Sequence, residues 1–212
     1  MGFGIEGTIV RKKFGLYPSY SFFIEDQFIM GAKTFVKNGN LRYVISTNQD
    51  LNANFKFNLI LGELRATSDS TFVLNSRRRK EQLQGNCADS MLELAAMVQE
   101  EVKGKEQNDD IKRLVYIIPK LWDIKPFASI PPPFTDGLLK SYLNGKLDDI
   151  WVLTSSHSPS SRDLKITSST DKDNLLLCFE KQDKNVFSLA MVYPFSPIQA
   201  FAICLTRLSA KQ

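Results

Sequence analysis

The feature that most constrains this chain is an apolar segment at its C-terminal end. Ser196 is a favourable N-cap and Pro197 suits a first helical position, so a helix is predicted to begin here. Within Ile198–Leu205 only Gln199 is polar, and a helix that is apolar all round must be enclosed by protein or lipid. Residues 197–210 would extend about 21 Å, whereas a bilayer requires roughly 20 apolar residues. The sequence therefore predicts a helix buried inside protein.

Short segments rich in Phe, Ile, Val, Tyr and Thr fill much of the chain before this helix, and turn-forming clusters such as Asn38-Gly39-Asn40 separate them. Such spacing is typical of antiparallel strands, and closing the sheet into a barrel removes its exposed edges. A barrel that encloses a helix needs roughly eleven or twelve strands. The prediction is a mainly β fold, a closed antiparallel β-barrel of about 11–12 strands around the buried C-terminal helix. The predicted strands are residues 19–25, 28–35, 42–47, 59–66, 71–75, 114–119, 150–154, 164–167, 175–180 and 186–193.

The last strand and helix resemble the closing segment of the tubby C-terminal domain family. They contain Tyr193-Pro194 followed by Gln199-Ala-Phe-Ala-Ile203, as that family does. The resemblance implies a twelve-stranded barrel around a hydrophobic helix, and binding of phosphorylated phosphatidylinositols. It covers nearly the whole chain, so we interpret residues 1–212 as a single domain with almost no N-terminal extension. Further matches, in the family's order, are Leu16–Tyr20, Arg42–Ser46, Leu61–Arg65 and Glu93–Ala96.

Two segments leave the strand pattern open. Residues 91–102 favour a helix by propensity, but the resemblance implies a strand at residues 95–102 paired with residues 113–119, and we adopt the strand. Residues 155–162 replace a longer hairpin of the family, which predicts a shortened or lost strand and a barrel partly open on that side.

Composition indicates a cytoplasmic protein. The three cysteines have no metal-binding spacing, and the N-terminal residues have neither the apolar core of a signal peptide nor a myristoylation motif. Residues 1–80 carry 12 Lys and Arg against six Asp and Glu, whereas the remaining residues carry 15 against 17. This asymmetry indicates an anionic partner for the first part of the chain, either a lipid headgroup, a membrane surface or nucleic acid.

The resemblance places headgroup ligands at Lys33 and Arg65, and Lys37 is predicted as a third phosphoinositide-binding residue. Lys33 and Lys37 share one face of their strand by alternation. Phosphate recognition needs several converging cations, because Arg can bind two phosphate oxygens in a fork while Lys acts as a movable point charge. The alternative is that these outward cations only keep the edge and rim strands soluble. Glu63 stands where the family commonly has Lys, which lowers the local positive potential and predicts weaker or altered binding.

A second, peripheral basic patch is predicted at Arg77, Arg78, Arg79 and Lys80. A charged loop is the simplest interpretation, and a membrane-facing fringe or a nuclear-import signal are the functional ones. No aromatic residues alternate with these cations, so binding of nucleic acid is not expected.

Catalysis has little support in the sequence. His157 is the sole histidine, lies among serines in a predicted loop, and has no evident orienting acid. The acidic residues have no metal-ligand spacing, and no cofactor or metal is expected. We therefore predict a non-enzymatic, monomeric phosphoinositide-binding adaptor that tethers proteins at the inner surface of the plasma or ciliary membrane.

Phosphatidylinositol 4,5-bisphosphate is the expected lipid, and trafficking of membrane-protein cargo toward cilia, signalling and a nuclear role are what the resemblance implies. The alternative is a protein-interaction scaffold whose barrel has lost lipid recognition. A lipid-scrambling relative, with its core helix in the bilayer, is disfavoured by the short helix and polar tail.

Overall fold

The computed structural model describes residues 4–14, 17–50, 59–68, 70–76, 92–103, 110–120, 137–157, 163–168 and 174–209. These residues form twelve strands and two helices. The strands are β1 (Ile5–Phe14), β2 (Tyr17–Ile24), β3 (Gln27–Lys37), β4 (Asn40–Ser46), β5 (Ile60–Ser68), β6 (Thr71–Ser76), β7 (Leu92–Lys103), β8 (Asp110–Pro119), β9 (Ile150–His157), β10 (Leu164–Thr167), β11 (Leu175–Asp183) and β12 (Val186–Met191), and the helices are α1 (Leu138–Leu143) and α2 (Pro197–Ser209).

All twelve strands belong to one antiparallel sheet with the order β10-β11-β12-β1-β2-β3-β4-β5-β6-β7-β8-β9. Strands that follow each other in the chain are therefore neighbours, except β9 and β10, and the pairing of β12 with β1 closes most of the ring. The ends of the sheet, β9 and β10, are joined by the Ser155 hydroxyl, which donates to the carbonyl oxygen of Lys165 at 2.6 Å. The barrel is nearly closed, and the predicted fold class is confirmed.

Helix α2 fills the barrel. Every residue from Ala200 to Leu205 is fully buried, and the ring of Phe201 stacks on that of Phe22 in β2 at 5.7 Å. Gln199, just before these residues, has its polar side chain satisfied, because its amide donates to the carbonyl oxygen of Leu94 at 2.8 Å. Its side-chain oxygen accepts from the Ser196 backbone N–H and hydroxyl at the start of the helix. The buried helix predicted from the sequence is confirmed.

Helix α1 covers part of the outside of the barrel and was not among the predicted elements. A separate apolar cluster lies beneath it, in which Leu138 packs with Val115 and Ile117 of β8. The Glu93 carboxylate accepts hydrogen bonds from the backbone N–H groups of Leu138 and Leu139 at 2.6 and 3.3 Å. This acid supplies the cap that Gly137 has no side chain to provide.

The structure confirms some of the sequence expectations and changes others. β1 is an additional strand, and its Arg11, Lys12 and Lys13 obscure the apolar alternation of a barrel wall. The strand adopted at residues 95–102 is confirmed as part of β7, because pairing with β6 and β8 outweighs the helical propensity of its residues. The loop prediction for His157 is wrong, since its backbone ends β9 opposite Lys112. The shortened strand and the opening expected near residues 155–162 are confirmed, because β10 has only four residues and β9 and β10 are the two ends of the sheet. Among the described helices, none combines the length and apolar character needed to cross a membrane.

Enclosure of α2 gives a direct test of the fold. Replacing the fully buried Ala202 with Asp places an unpaired charge against the inner wall, which should cost several kcal/mol and prevent folding. Leu143→Asp is the control, because that side chain is 69% exposed. Urea unfolding followed by circular dichroism should show a cooperative transition for the control only; a folded Ala202→Asp variant would contradict an enclosed helix.

Candidate functional site

The outer faces of β3, β4 and β5 bring the predicted headgroup residues onto one wall. Strand alternation directs Ala32, Tyr43 and Leu64 into the barrel, where their side chains are buried. On each of these strands, the residues that alternate with the buried ones face outward. In one row across the sheet Lys33 pairs with Val44 and Val44 with Glu63, and in the next row Phe35 pairs with Arg42 and Arg42 with Arg65.

The structure brings Lys33 and Arg65 together on this wall. Both are partly buried, and one strand lies between theirs. Neighbouring strands are about 4.8 Å apart, so the two backbones are separated by about 10 Å across the sheet, a distance that two long side chains can close around one phosphorylated ring. Lys37 lies at the end of β3 opposite Asn40, exposed and four residues beyond Lys33 along the same face. It can reach the same ligand only from the edge.

Phe35 is the apolar component of the wall. The Lys33 ammonium lies over its ring at 5.6 Å from the centroid. A cation against an aromatic face is held by the ring quadrupole, and the contact orients the lysine side chain along the wall. Lys33 is therefore directed toward the row that contains Arg42 and Arg65.

Arg42 is a cation of this wall that the sequence analysis did not include in the candidate site. It pairs directly with Arg65 across β4 and β5, and its Nη1 donates to Glu63 Oε1 at 2.9 Å. Like charges directly opposite each other are destabilising in a sheet, and Glu63 offsets this repulsion. The signal was available, because Arg42 opens the Arg42–Ser46 motif, but its position opposite Arg65 requires the register between β4 and β5.

Glu63 therefore has a defined partner. It lowers the positive potential of the wall, as expected from the sequence, but it does so by pairing with Arg42. The side chains of Arg42 and Glu63 are 26% and 17% exposed, so the pair is partly shielded from water. Among the described residues, Arg65 has no hydrogen-bond or ion-pair partner. Of the two arginines opposite each other, Arg42 is thus neutralised by Glu63, whereas Arg65 is available to an anion.

Lys12 extends the basic surface beyond β2 to β1. It pairs with Ser19 of β2, and Ser19 pairs with Lys33, so Lys12 and Lys33 lie in one row and on one face. Lys12 is exposed. Sequence alternation could not have shown this, because β1 was not predicted as a strand.

Away from the wall, the described ionisable groups include one ion pair and two thiols. On β10 and β11, Lys165 and Glu180 form an exposed ion pair at 3.0 Å, and their hydrogen bond lowers the pKa of Glu180. Burial raises the pKa of the Cys178 thiol beside them and that of Cys204 in α2, which disfavours a thiolate nucleophile. Within the described ranges, no group of three or more His, Cys, Asp or Glu side chains could hold a metal ion.

The predicted peripheral basic patch stays a prediction. Its residues lie outside the described part of the chain: Arg77, Arg78, Arg79 and Lys80.

Comparison with protein families supports the fold of the last strands and helix α2. The model of the Tub family matches residues 153–210, which begin within β9 and extend through α2. The search of curated proteins returned no match to the chain. The matched segment contains the last strands and the enclosed helix, where the resemblance is most specific. The resemblance is thus confirmed: residues 153–210 match the Tub family, and the described residues have the fold of a tubby C-terminal domain.

Proposed function

We propose that the outer wall of β3, β4 and β5 binds the phosphorylated headgroup of a phosphoinositide and thereby tethers the protein to the inner surface of a membrane. The observation that supports this function is the placement of Lys33 and Arg65 on the same face of neighbouring rows. Phosphoinositide binding is the general property of the Tub family, and the wall supplies the cation types that this chemistry requires.

The two cations are suited to different parts of the ligand. The Arg65 guanidinium can donate two parallel hydrogen bonds to one phosphate, which fixes its orientation. Lys33 is a compact charge on a flexible chain and can follow a second phosphate on the same inositol ring. Phosphatidylinositol 4,5-bisphosphate, with adjacent phosphates, fits two cations about 10 Å apart at their backbones.

The wall is rigid enough to hold this arrangement. Its strands are paired on both sides, and their inward side chains Ala32, Tyr43 and Leu64 are packed in the core that contains α2. A binding site on such strands loses little conformational entropy when the ligand arrives. We extend the proposal to a non-enzymatic, monomeric adaptor that carries membrane-protein cargo or a signal at the plasma or ciliary membrane, with release toward the nucleus as a further role.

A second candidate function, a protein-interaction scaffold without lipid recognition, is favoured by the Arg42–Glu63 pair. Neutralising one of two facing arginines removes about 1 kcal/mol of attraction to an anionic surface. If the remaining cations were too few to hold a headgroup, the same barrel would still offer a stable outer surface to a protein partner. The two functions differ in their response to the substitutions below.

The lipid function predicts a preference among anionic membranes. Vesicles containing phosphatidylinositol 4,5-bisphosphate should sediment the protein at least tenfold better than phosphatidylserine vesicles of equal charge, because converging cations recognise clustered phosphates. Lys33→Ala with Arg65→Ala should abolish this preference.

The matched control removes two cations elsewhere, Lys140→Ala with Lys146→Ala on α1 and the turn that follows it. It should lower binding to both vesicle types by a similar, small factor. Equal sedimentation of the unsubstituted chain by the two vesicle types would reduce the interaction to general electrostatics, and a preference that survives Lys33→Ala with Arg65→Ala would move the pocket to another surface.

Replacing Glu63 should raise affinity for the lipid and lower the stability of the fold. Glu63→Gln removes a negative charge from the wall and should raise affinity for phosphatidylinositol 4,5-bisphosphate vesicles about fivefold. The same change leaves Arg42 facing Arg65 without its counter-ion and should lower the free energy of unfolding by about 0.5–1 kcal/mol.

Glu6→Gln is the control, an exposed acid on β1 that pairs with Ala190. Vesicle sedimentation and urea unfolding of both variants separate the two effects. Unchanged vesicle binding of Glu63→Gln, with the expected loss of stability, would support the scaffold function instead.

A further inference from the structure

Exposed apolar side chains lie at the end of the barrel next to the basic wall. Val36, the penultimate residue of β3, is 44% exposed, and Tyr17 at the start of β2 is 45% exposed. The turn between β3 and β4 is tight, with Asn38 and Gly39 in left-handed conformations at φ 53° and 79°. A Cβ on Gly39 would meet no described atom within 4 Å apart from those of its chain neighbours, so there is open space beside this turn.

Tyr17 and Val36 lie at the same end of the barrel but on opposite faces of the sheet. Ser19 pairs with Lys33, so Tyr17 and Phe35, each two residues nearer this end, are on the outward face with Lys33. Val36 is on the other face, with Ala32 and Thr34. The two strands are still joined near this end, because the Thr34 hydroxyl donates to the carbonyl oxygen of Pro18 at 2.6 Å. Both side chains are exposed, since they lie at the ends of their strands.

Cations surround this apolar pair. Lys37 follows Val36 directly, and Lys13 and Lys12 on β1 pair with Pro18 and Ser19 of β2. All three lysines are exposed. Asp183 belongs to the β11–β12 turn at the same end of the barrel, and the adjacent Lys184 balances its charge.

We propose that this end of the barrel is a membrane-inserting tip: Val36 and Tyr17 enter the interfacial layer of an anionic bilayer while Lys12, Lys13 and Lys37 contact lipid phosphates. The inference rests on the proposed membrane function and names how the barrel is oriented there, with the β3–β4 turn pointing at the lipid. Lys33 and Arg65 then lie just above the surface, where a headgroup that projects from the bilayer reaches them.

The chemistry of the tip fits a bilayer better than a protein groove. Tyr has an apolar ring and a polar hydroxyl, the combination that is favoured where hydrocarbon meets headgroups. Lys can extend its aliphatic chain along apolar surface while its ammonium contacts phosphate. A tight turn with one valine presents little area to a rigid partner, whereas a deformable lipid surface closes around it. Each lysine near an anionic leaflet adds electrostatic attraction, which acts together with the transfer of the apolar side chains out of water.

A fluorescence experiment tests insertion directly. Val36→Trp is compared with Leu143→Trp and with the unsubstituted chain, on phosphatidylinositol 4,5-bisphosphate vesicles in which part of the phosphatidylcholine carries brominated acyl chains. Bromine quenches only nearby indoles, so the tryptophan at position 36 should shift to shorter wavelength and lose about half of its added emission. The tryptophan at position 143, on α1, should show neither change.

A binding experiment separates the tip from the headgroup site. Val36→Ser with Tyr17→Ser should lower partition into these vesicles about tenfold, because two apolar side chains no longer leave water. Calorimetric binding of soluble inositol 1,4,5-trisphosphate should be unchanged, because this ligand needs only the wall. The control, Leu143→Ser with Leu147→Ser, removes side chains that are 69% and 45% exposed and should leave both measurements unchanged.

The outcomes distinguish the two proposals. Vesicle binding by the unsubstituted chain without quenching at position 36 overturns the inserting tip and leaves the headgroup site intact. Quenching at position 36 with equal partition into phosphatidylserine vesicles supports the tip and overturns the specific headgroup site. Failure of the unsubstituted chain to bind any of these vesicles overturns both.

Discussion

The structure depends on the enclosure of α2. A helix whose residues Ala200–Leu205 have no contact with water is stable only if apolar side chains meet it on every side, and a nearly closed ring of strands provides them. Gln199, the one polar side chain of Ile198–Leu205, binds both the start of its own helix and the β7 backbone, so its buried amide is satisfied.

Enclosure determines where charge can be placed. Because inward positions are committed to the helix, each strand has only its alternate residues available for cations. On β3, β4 and β5 those positions are occupied by Lys33, Arg42 and Arg65, and the register brings them into two adjacent rows. The positive wall is thus a consequence of barrel geometry combined with three basic residues that are far apart in the sequence.

The sequence predicted the buried helix and the barrel because both follow from local patterns, namely an apolar run without a wet face and short alternating segments between turns. Local patterns alone were insufficient where pairing partners decide the outcome. β7 has the residues of a helix, and it was correctly assigned as a strand only through the resemblance, because pairing with β6 and β8 determines its conformation. β1 was missed, because its run of cations hides the alternation of a barrel strand. Lys33 and Arg65 were assigned by resemblance, whereas the role of Arg42 needed the register that places it opposite Arg65 and within 2.9 Å of Glu63.

Glu63 illustrates how such a surface can be adjusted without changing the fold. An acid at this position holds Arg42 and relieves the repulsion between facing guanidiniums. Stability and positive potential are therefore coupled through a single side chain, because the carboxylate that stabilises the wall also lowers its positive potential. Under the proposed membrane function, a wall of lower potential would gain more from apolar contacts at its edge, which Val36 and Tyr17 could make. The proposed headgroup site and the proposed inserting tip would then be complementary parts of one surface.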